Sequence, residues 1–100
     1  MINISICIYS NKNFKIIKIK DGSFIVVNID KDFHNGHTHI KNYYIAKAII
    51  HACIYGEFPK KCKHLMKNKH ILESLIRVCS FKYKNKFESY LEKIKSEDRE

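Results

Sequence analysis

The sequence predicts an α+β fold, an N-terminal three-stranded antiparallel meander packed against three to four C-terminal helices. Two observations carry the prediction. Apolar residues alternate with period two over residues 2–9, and short β-branched runs follow up to residue 29. From residue 42 onward the apolar residues recur at helical spacing, with turn and cap residues between the segments. Strands first and helices afterwards, with no repeat or linker, are the pattern of an α+β domain. One domain over residues 1–100 is expected, with the meander in 1–30, the helical part in 42–95 and a frayed acidic tail in 96–100. A chain of 100 residues can bury roughly 60–70% of its unfolded surface, enough for one core without metal or disulfides.

In the first strand Ile2, Ile4, Ile6 and Ile8 share one face, and Asn3, Ser5, Cys7 and Tyr9 the other. Such alternation marks a half-buried strand. Ser10-Asn11-Lys12-Asn13 supplies a turn, and residues 14–20 form the second strand. Asp21-Gly22 is the signal for a type I′ hairpin. Residues 24–29 are the third strand, and the unbroken run Phe24-Ile25-Val26-Val27 suggests burial on both sides or a central place in the sheet.

Asn42 caps a helix that runs to about Tyr55, with Gly56 as its C-terminal stop and Pro59 beyond. Its core stripe is Ile45, Ile49, Ala52 and Cys53, and Ala46 and Ala48 permit close approach to the sheet. Pro59 opens a short helix to about Met66. Asn68 caps the next over residues 69–79, with Ile71 or Leu72, Leu75, Ile76 and Cys79 inward. Asn85 caps the last, on Phe87, Leu91 and Ile94, with fraying after Lys95.

The formal net charge is +9 and its distribution is uneven. Residues 1–40 hold five Lys against three Asp, and residues 88–100 hold three basic against five acidic groups. Residues 41–87 hold ten Lys and one Arg against Glu57 and Glu73, so the positive field arises in the middle of the chain. Such a field favours polyanionic partners by long-range attraction and counterion release. The bland alternative is a solvated surface, since richness in Ile, Lys, Asn and Tyr also reflects an A+T-rich genome. Two clusters stand out. Lys60, Lys61, Lys63, Lys67 and Lys69 crowd one stretch with His64 and His70; Lys82, Lys84 and Lys86 alternate with Phe81 and Tyr83, as though sharing one face of an extended segment. Lysines beside aromatics suit phosphate contacts combined with stacking on unpaired bases. The competing reading has Phe81 and Tyr83 stapling a loop to the core. Arginine occurs only at Arg77 and Arg99, so bidentate reading of guanine is not expected.

The segment His34-Asn35-Gly36-His37-Thr38-His39 holds three of the six histidines. Three readings stand side by side. In a metal site His37 and His39 share a face, His34 approaches across the Asn35-Gly36 turn, and Asp30 or Asp32 assists phosphodiester hydrolysis. In a structural connection Asn35-Gly36 turns the chain, and Thr38 or Asn42 caps the following helix. In a contact surface His37, His39 and Lys41 meet a partner or a phosphate at the helix N-terminus. Cys7, Cys53, Cys62 and Cys79 form no C-x-x-C pair, and a nucleophile made from Cys53 or Cys62 with His51 has no local signature. Neither paired carboxylates nor a glycine-rich phosphate loop occurs. No catalytic residue and no cofactor is assigned, and a non-enzymatic protein is expected. The N-terminus does not read as a signal peptide and no apolar stretch of membrane-spanning length occurs, so a cytoplasmic location away from membranes is expected.

The run Asn35-Gly36-His37-Thr38-His39-Ile40-Lys41-Asn42, then Ala46-Lys47, then Leu72-Glu73-Ser74-Leu75-Ile76-Arg77 resembles a group of small uncharacterised proteins of clostridial and related low-GC bacteria and their prophages. The resemblance covers roughly residues 34–95. Where that group is expected to carry an acidic turn after the position of Cys79, Phe81-Lys82-Tyr83-Lys84 stands here, so nothing carries over to the last helix. The prophage setting implies an accessory protein acting on a host or viral macromolecule, in the manner of anti-CRISPR inhibitors. The expected partner is then nucleic acid or a ribonucleoprotein effector, engaged by a monomer or homodimer. The lysines would supply the electrostatics and the His34–Lys41 segment the specific contacts. The alternatives are a metal-dependent nuclease using His34, His37 and His39, and a structural homodimer formed through a sheet edge.

Overall fold

A computed structural model describes residues 6–98 and shows an α+β fold with four strands rather than three. β1 (Ile6–Asn11), β2 (Phe14–Lys18), β3 (Phe24–Asn28) and β4 (His37–Ile40) form one antiparallel sheet in sequential order. The fourth strand is the histidine segment. His37-Thr38-His39-Ile40 alternates polar and inward residues over only four positions, too short a run to stand out in sequence. Its pairing with β3 makes it a strand: Val27 faces His37, Val26 faces Thr38 and Ile25 faces His39. β2 and β3 are the interior strands, so of the two readings of the β3 apolar run the central place is the one observed.

Two local expectations are corrected. The turn at Asp21-Gly22 is not type I′, because Gly22 is left-handed (φ 89°) while Asp21 is not. The Gly22 amide bonds the Ile19 carbonyl at 3.0 Å, giving a type I turn over Lys20-Asp21 followed by a left-handed glycine. The isoleucine face of β1 is not the buried one. Ile6 and Ile8 are 56% and 40% exposed, whereas Tyr9 packs on the core. A register shift between Cys7 and Tyr9 breaks the alternation, so period two cannot be carried across it. Ile2 and Ile4 lie outside the described residues.

α1 (Tyr43–Tyr55) begins where the cap chemistry placed it: Asn42 Oδ1 accepts the Ile45 amide at 3.1 Å. Gly56 closes it in the left-handed conformation (φ 81°), with the Tyr83 ring so near that a Cβ would lie 2.7 Å from it. The following segment, Lys60–Lys67, is a 3₁₀ helix interrupted at Cys62 rather than an α-helix. The kink at Cys62 divides it into short pieces, as the poorer hydrogen-bond geometry of 3₁₀ turns favours. α2 (Lys69–Val78) is capped by Asn68, whose Oδ1 accepts the Ile71 amide at 3.1 Å.

α3 (Phe81–Asp98) starts four residues before the expected cap at Asn85. Asn85 lies inside the helix, its carbonyl accepting the Ser89 hydroxyl at 3.0 Å. The stretch carrying Lys82, Lys84 and Lys86 is therefore helical, and these three residues do not share a face as they would in an extended chain. α3 also passes Lys95, where fraying was expected, and continues to Asp98.

α1 and α2 cover the inner face of the sheet, and α3 packs on α2 and the 3₁₀ segment. The core joins Phe14, Ile16, Val26 and Ile40 of the sheet to Ile49, Ile50, Leu72, Leu75, Val78 and Phe87 of the helices. Each such side chain contributes about 1.5–3 kcal/mol by leaving water. The opposite sheet face, with Lys15, Ile17, Ile25, Val27, His37 and His39, carries no helix among the described elements.

Candidate nucleic-acid interface

On α3, positions 82, 86, 90, 93 and 97 fall on one stripe, because residues three or four apart are neighbours on a helix surface. They are Lys82, Lys86, Tyr90, Lys93 and Glu97. The middle of this stripe faces the 3₁₀ segment across a groove. One part of the groove, about 290 Å³, is lined by Glu57, Phe58, Lys63, Met66, Lys86 and Tyr90. The next, about 550 Å³, is lined by Met66, Lys67, Tyr90, Lys93, Ile94 and Glu97. Met66 and Tyr90 border both parts, so the two adjoin along α3.

Four lysines, Lys63 and Lys67 on one wall and Lys86 and Lys93 on the other, thus converge over a floor of Met66, Tyr90 and Ile94. Glu57 and Glu97 mark its two ends. Among the described residues no lysine forms an ion pair; the single pair is His70 with Glu73 at 3.7 Å. With four lysines against Glu57 and Glu97, the groove lining keeps a net positive charge, which favours displacement of counterions from a phosphate backbone.

The other sequence-predicted site residues are dispersed. Lys60, Lys61 and Lys69 are exposed outside the groove lining. Lys82 sits over its neighbour Tyr83, 5.2 Å from the ring centroid, and Lys84 lies 5.9 Å from the Phe81 centroid. Tyr83 packs against the core and over Gly56, while Phe81 is 89% exposed. The stapling role holds for Tyr83 and not for Phe81. His37, His39 and Lys41 belong to β4 and its exit, apart from the groove. Tyr90, Met66 and Lys93 escaped sequence reasoning because they matter only through the pairing of α3 with the 3₁₀ segment, which nothing local in the sequence announces.

The histidine segment is held by groups that the sequence did not point to. Asn28, fully buried, donates to the Val78 carbonyl (2.9 Å) and the Ser80 hydroxyl (3.3 Å). Its Oδ1 accepts from Asn13 (2.8 Å) and from the Asp30 amide (2.9 Å). Arg77 donates to the His37 carbonyl (2.9 Å) and the His34 carbonyl (3.1 Å). Lys31 Nζ donates to the Arg77 carbonyl (3.2 Å), tying the loop to α2. Gly36 is needed for close approach, since a Cβ there would lie 2.5 Å from Lys31 Cβ. The Asn35 side-chain amide and backbone N–H bond the Asp32 carboxylate and hold it below its ordinary pKa of 3.8.

His37 Nδ1–H donates to the Phe33 carbonyl, and its ring stacks on Phe33 with centroids 4.2 Å apart and planes 5° from parallel. His39 meets His37 edge-on at 5.2 Å. His37 and His39 do share a face, but among the described residues no three His, Cys, Asp or Glu side chains converge to hold a metal ion. His34, His37 and His39 are not brought together as such a group. Of the remaining candidates, His51 donates to the Glu57 carbonyl at 3.0 Å, and Cys53 and Cys79 are buried. Burial raises the Cys53 thiol well above the ordinary range, and its hydrogen bond to Cys79 lowers the latter. A thiol so raised is a poor nucleophile. No helix among the described residues is long and apolar enough to cross a membrane.

Comparison with protein-family models, curated proteins and solved structures gives no match.

Proposed function

We propose that this chain is a non-enzymatic nucleic-acid-binding protein that seats a phosphate backbone along the groove between the 3₁₀ segment and α3. The observation that carries the reading is that Lys63, Lys67, Lys86 and Lys93, none of them ion-paired among the described residues, line one groove. Lysine is a point charge on a flexible stem, so it holds phosphate without demanding one geometry. Binding is then electrostatic and indifferent to base sequence.

On the resemblance to prophage proteins we extend this to inhibition of a host nucleic-acid-handling system of the anti-CRISPR type, in the cytoplasm, by a monomer or homodimer. The groove supports that extension by offering a surface for guide RNA, target DNA or the ribonucleoprotein that carries them. The homodimer version draws on the exposed Ile6 and Ile8 of edge strand β1, against a register shift that blunts edge pairing.

The test compares two double charge reversals with the same change in net charge. Lys67→Glu/Lys93→Glu is expected to weaken binding of a labelled oligonucleotide at least roughly tenfold more than Lys18→Glu/Lys20→Glu on the sheet side. Equal losses would mean diffuse attraction and would remove the groove from the account.

A further inference from the structure

We infer that the open face of the sheet is a second contact, a platform on which unpaired bases of a single-stranded nucleic acid stack, with Phe33 as its principal ring. The inference rests on the reading of this chain as a nucleic-acid binder and names the class of nucleic acid.

Phe33 is 56% exposed, so it adds little to the core. Yet it is held in place. The His37 ring lies parallel against one side of it, and the same His37 bonds the Phe33 carbonyl. Arg77 in turn fixes the carbonyls of His34 and His37. A large ring kept rigid at the surface binds at low entropic cost, because little freedom is lost when a ligand covers it.

The register extends the platform across the sheet. Lys15, Val27 and His37 stand in one cross-strand row, and Ile17, Ile25 and His39 in the next. Both rows lie on the face away from the helices. Ile17 and Ile25 are half-buried and Val27 is buried, so the apolar part of the face is shallow, with an aromatic edge and a lysine at the other side, and none of these six strand positions is acidic. In a chain of net charge +9 that combination is complementary to a polyanion whose bases are accessible. A four-stranded antiparallel sheet with helices on one face leaves the other free to stack bases, and a duplex, whose bases are already stacked, gains nothing there. Phosphates held in the groove supply affinity for either form; the platform selects the single strand.

The chain has no tryptophan, so Phe33→Trp installs a single fluorescent reporter at the platform. Titration with oligo-dT and oligo-U is expected to quench its emission by stacking, whereas a duplex of equal length leaves it nearly unchanged. In parallel, Phe33→Ala is expected to lower single-strand affinity roughly tenfold, the loss of about one stacked base, with duplex affinity unaltered. Thermal melts confirm folding of both variants. If wild-type protein binds single strands but Phe33→Trp is not quenched and Phe33→Ala binds equally well, the platform is overturned and the groove reading stands. Equal quenching by the duplex overturns selection for single strands. If wild-type protein binds neither form, the nucleic-acid reading itself fails and the platform with it.

Discussion

In the loop from Asn28 to His37 the polar side chains of Asn28, Lys31, Asp32 and His37 all end on backbone groups, whereas along the lysine groove no ammonium among the described residues meets a carboxylate. The two regions use their polar side chains differently. In the loop, polar groups replace a regular ladder: they satisfy carbonyls and amides that strand pairing leaves open, and they fix the chain path. In the groove, the charges are left to solvent and so to any anion that approaches. A polar side chain committed to backbone reports on stability; one left uncommitted on a concave, like-charged surface reports on binding. Substitutions on either side should separate along that line.

The largest expected effect on stability is at Asn28. Asn28→Ala strips partners from the Val78 carbonyl, the Asp30 amide and the Asn13 side chain inside the fold. A cost of about 2–4 kcal/mol is expected, read as a lower urea midpoint at unchanged slope. A loss within the noise of a surface substitution would break the comparison, since the loop's hydrogen bonds would then be dispensable. Arg77→Ala comes next, at about 1–2 kcal/mol, because its two acceptors are exposed and water replaces the guanidinium. It should also loosen His37 beneath Phe33 and reduce single-strand affinity more than duplex affinity. Lys63→Ala, Lys67→Ala, Lys86→Ala and Lys93→Ala should each change stability by no more than about 0.5 kcal/mol, as for surface positions without partners.

The smallest effect is a pH dependence at Asp32. Asn35 favours the ionised carboxylate, so the folded pKa lies below the unfolded one. The contribution is present above the unfolded value and is lost as pH falls through the folded value. Asp32→Ala should therefore be slightly less stable than wild type near neutrality and lose less stability on acidification, so that melts of the two converge once the carboxylate is protonated. Asp21, depressed by the Ser23 hydroxyl, makes a similar and separate contribution.

Where one residue type suffices to set a local structure, the sequence was legible. Asn42 and Asn68 cap α1 and α2 where expected, and Gly56 ends α1. The central place of β3 was one of two readings of four apolar residues in a row. What escaped depends on partners distant in sequence. β4 exists because β3 offers it a ladder, and four residues carry too little periodicity to announce that. The early start of α3 hides because lysines alternate with aromatics over residues 81–86, which resembles a strand until Tyr83 is seen against Gly56. That misplacement hid only the place of Lys82 on the stripe; Lys86, Tyr90 and Lys93 align on the shorter helix too, and what stayed hidden was the segment they face. Lys63 and Lys67 were identified by their crowding, but not the wall they face. Asn28 read as the end of a strand, because nothing local signals a bond across fifty residues.

The most direct test of the groove is the salt dependence of single-strand binding. Plotting the logarithm of the association constant against that of salt concentration should give wild-type protein a slope of roughly −3, as four neutralised phosphates imply. The Lys63→Ala/Lys67→Ala/Lys86→Ala/Lys93→Ala variant, still folded, should show a slope close to zero. A wild-type slope near zero, or an equally steep one in the variant, would contradict the account.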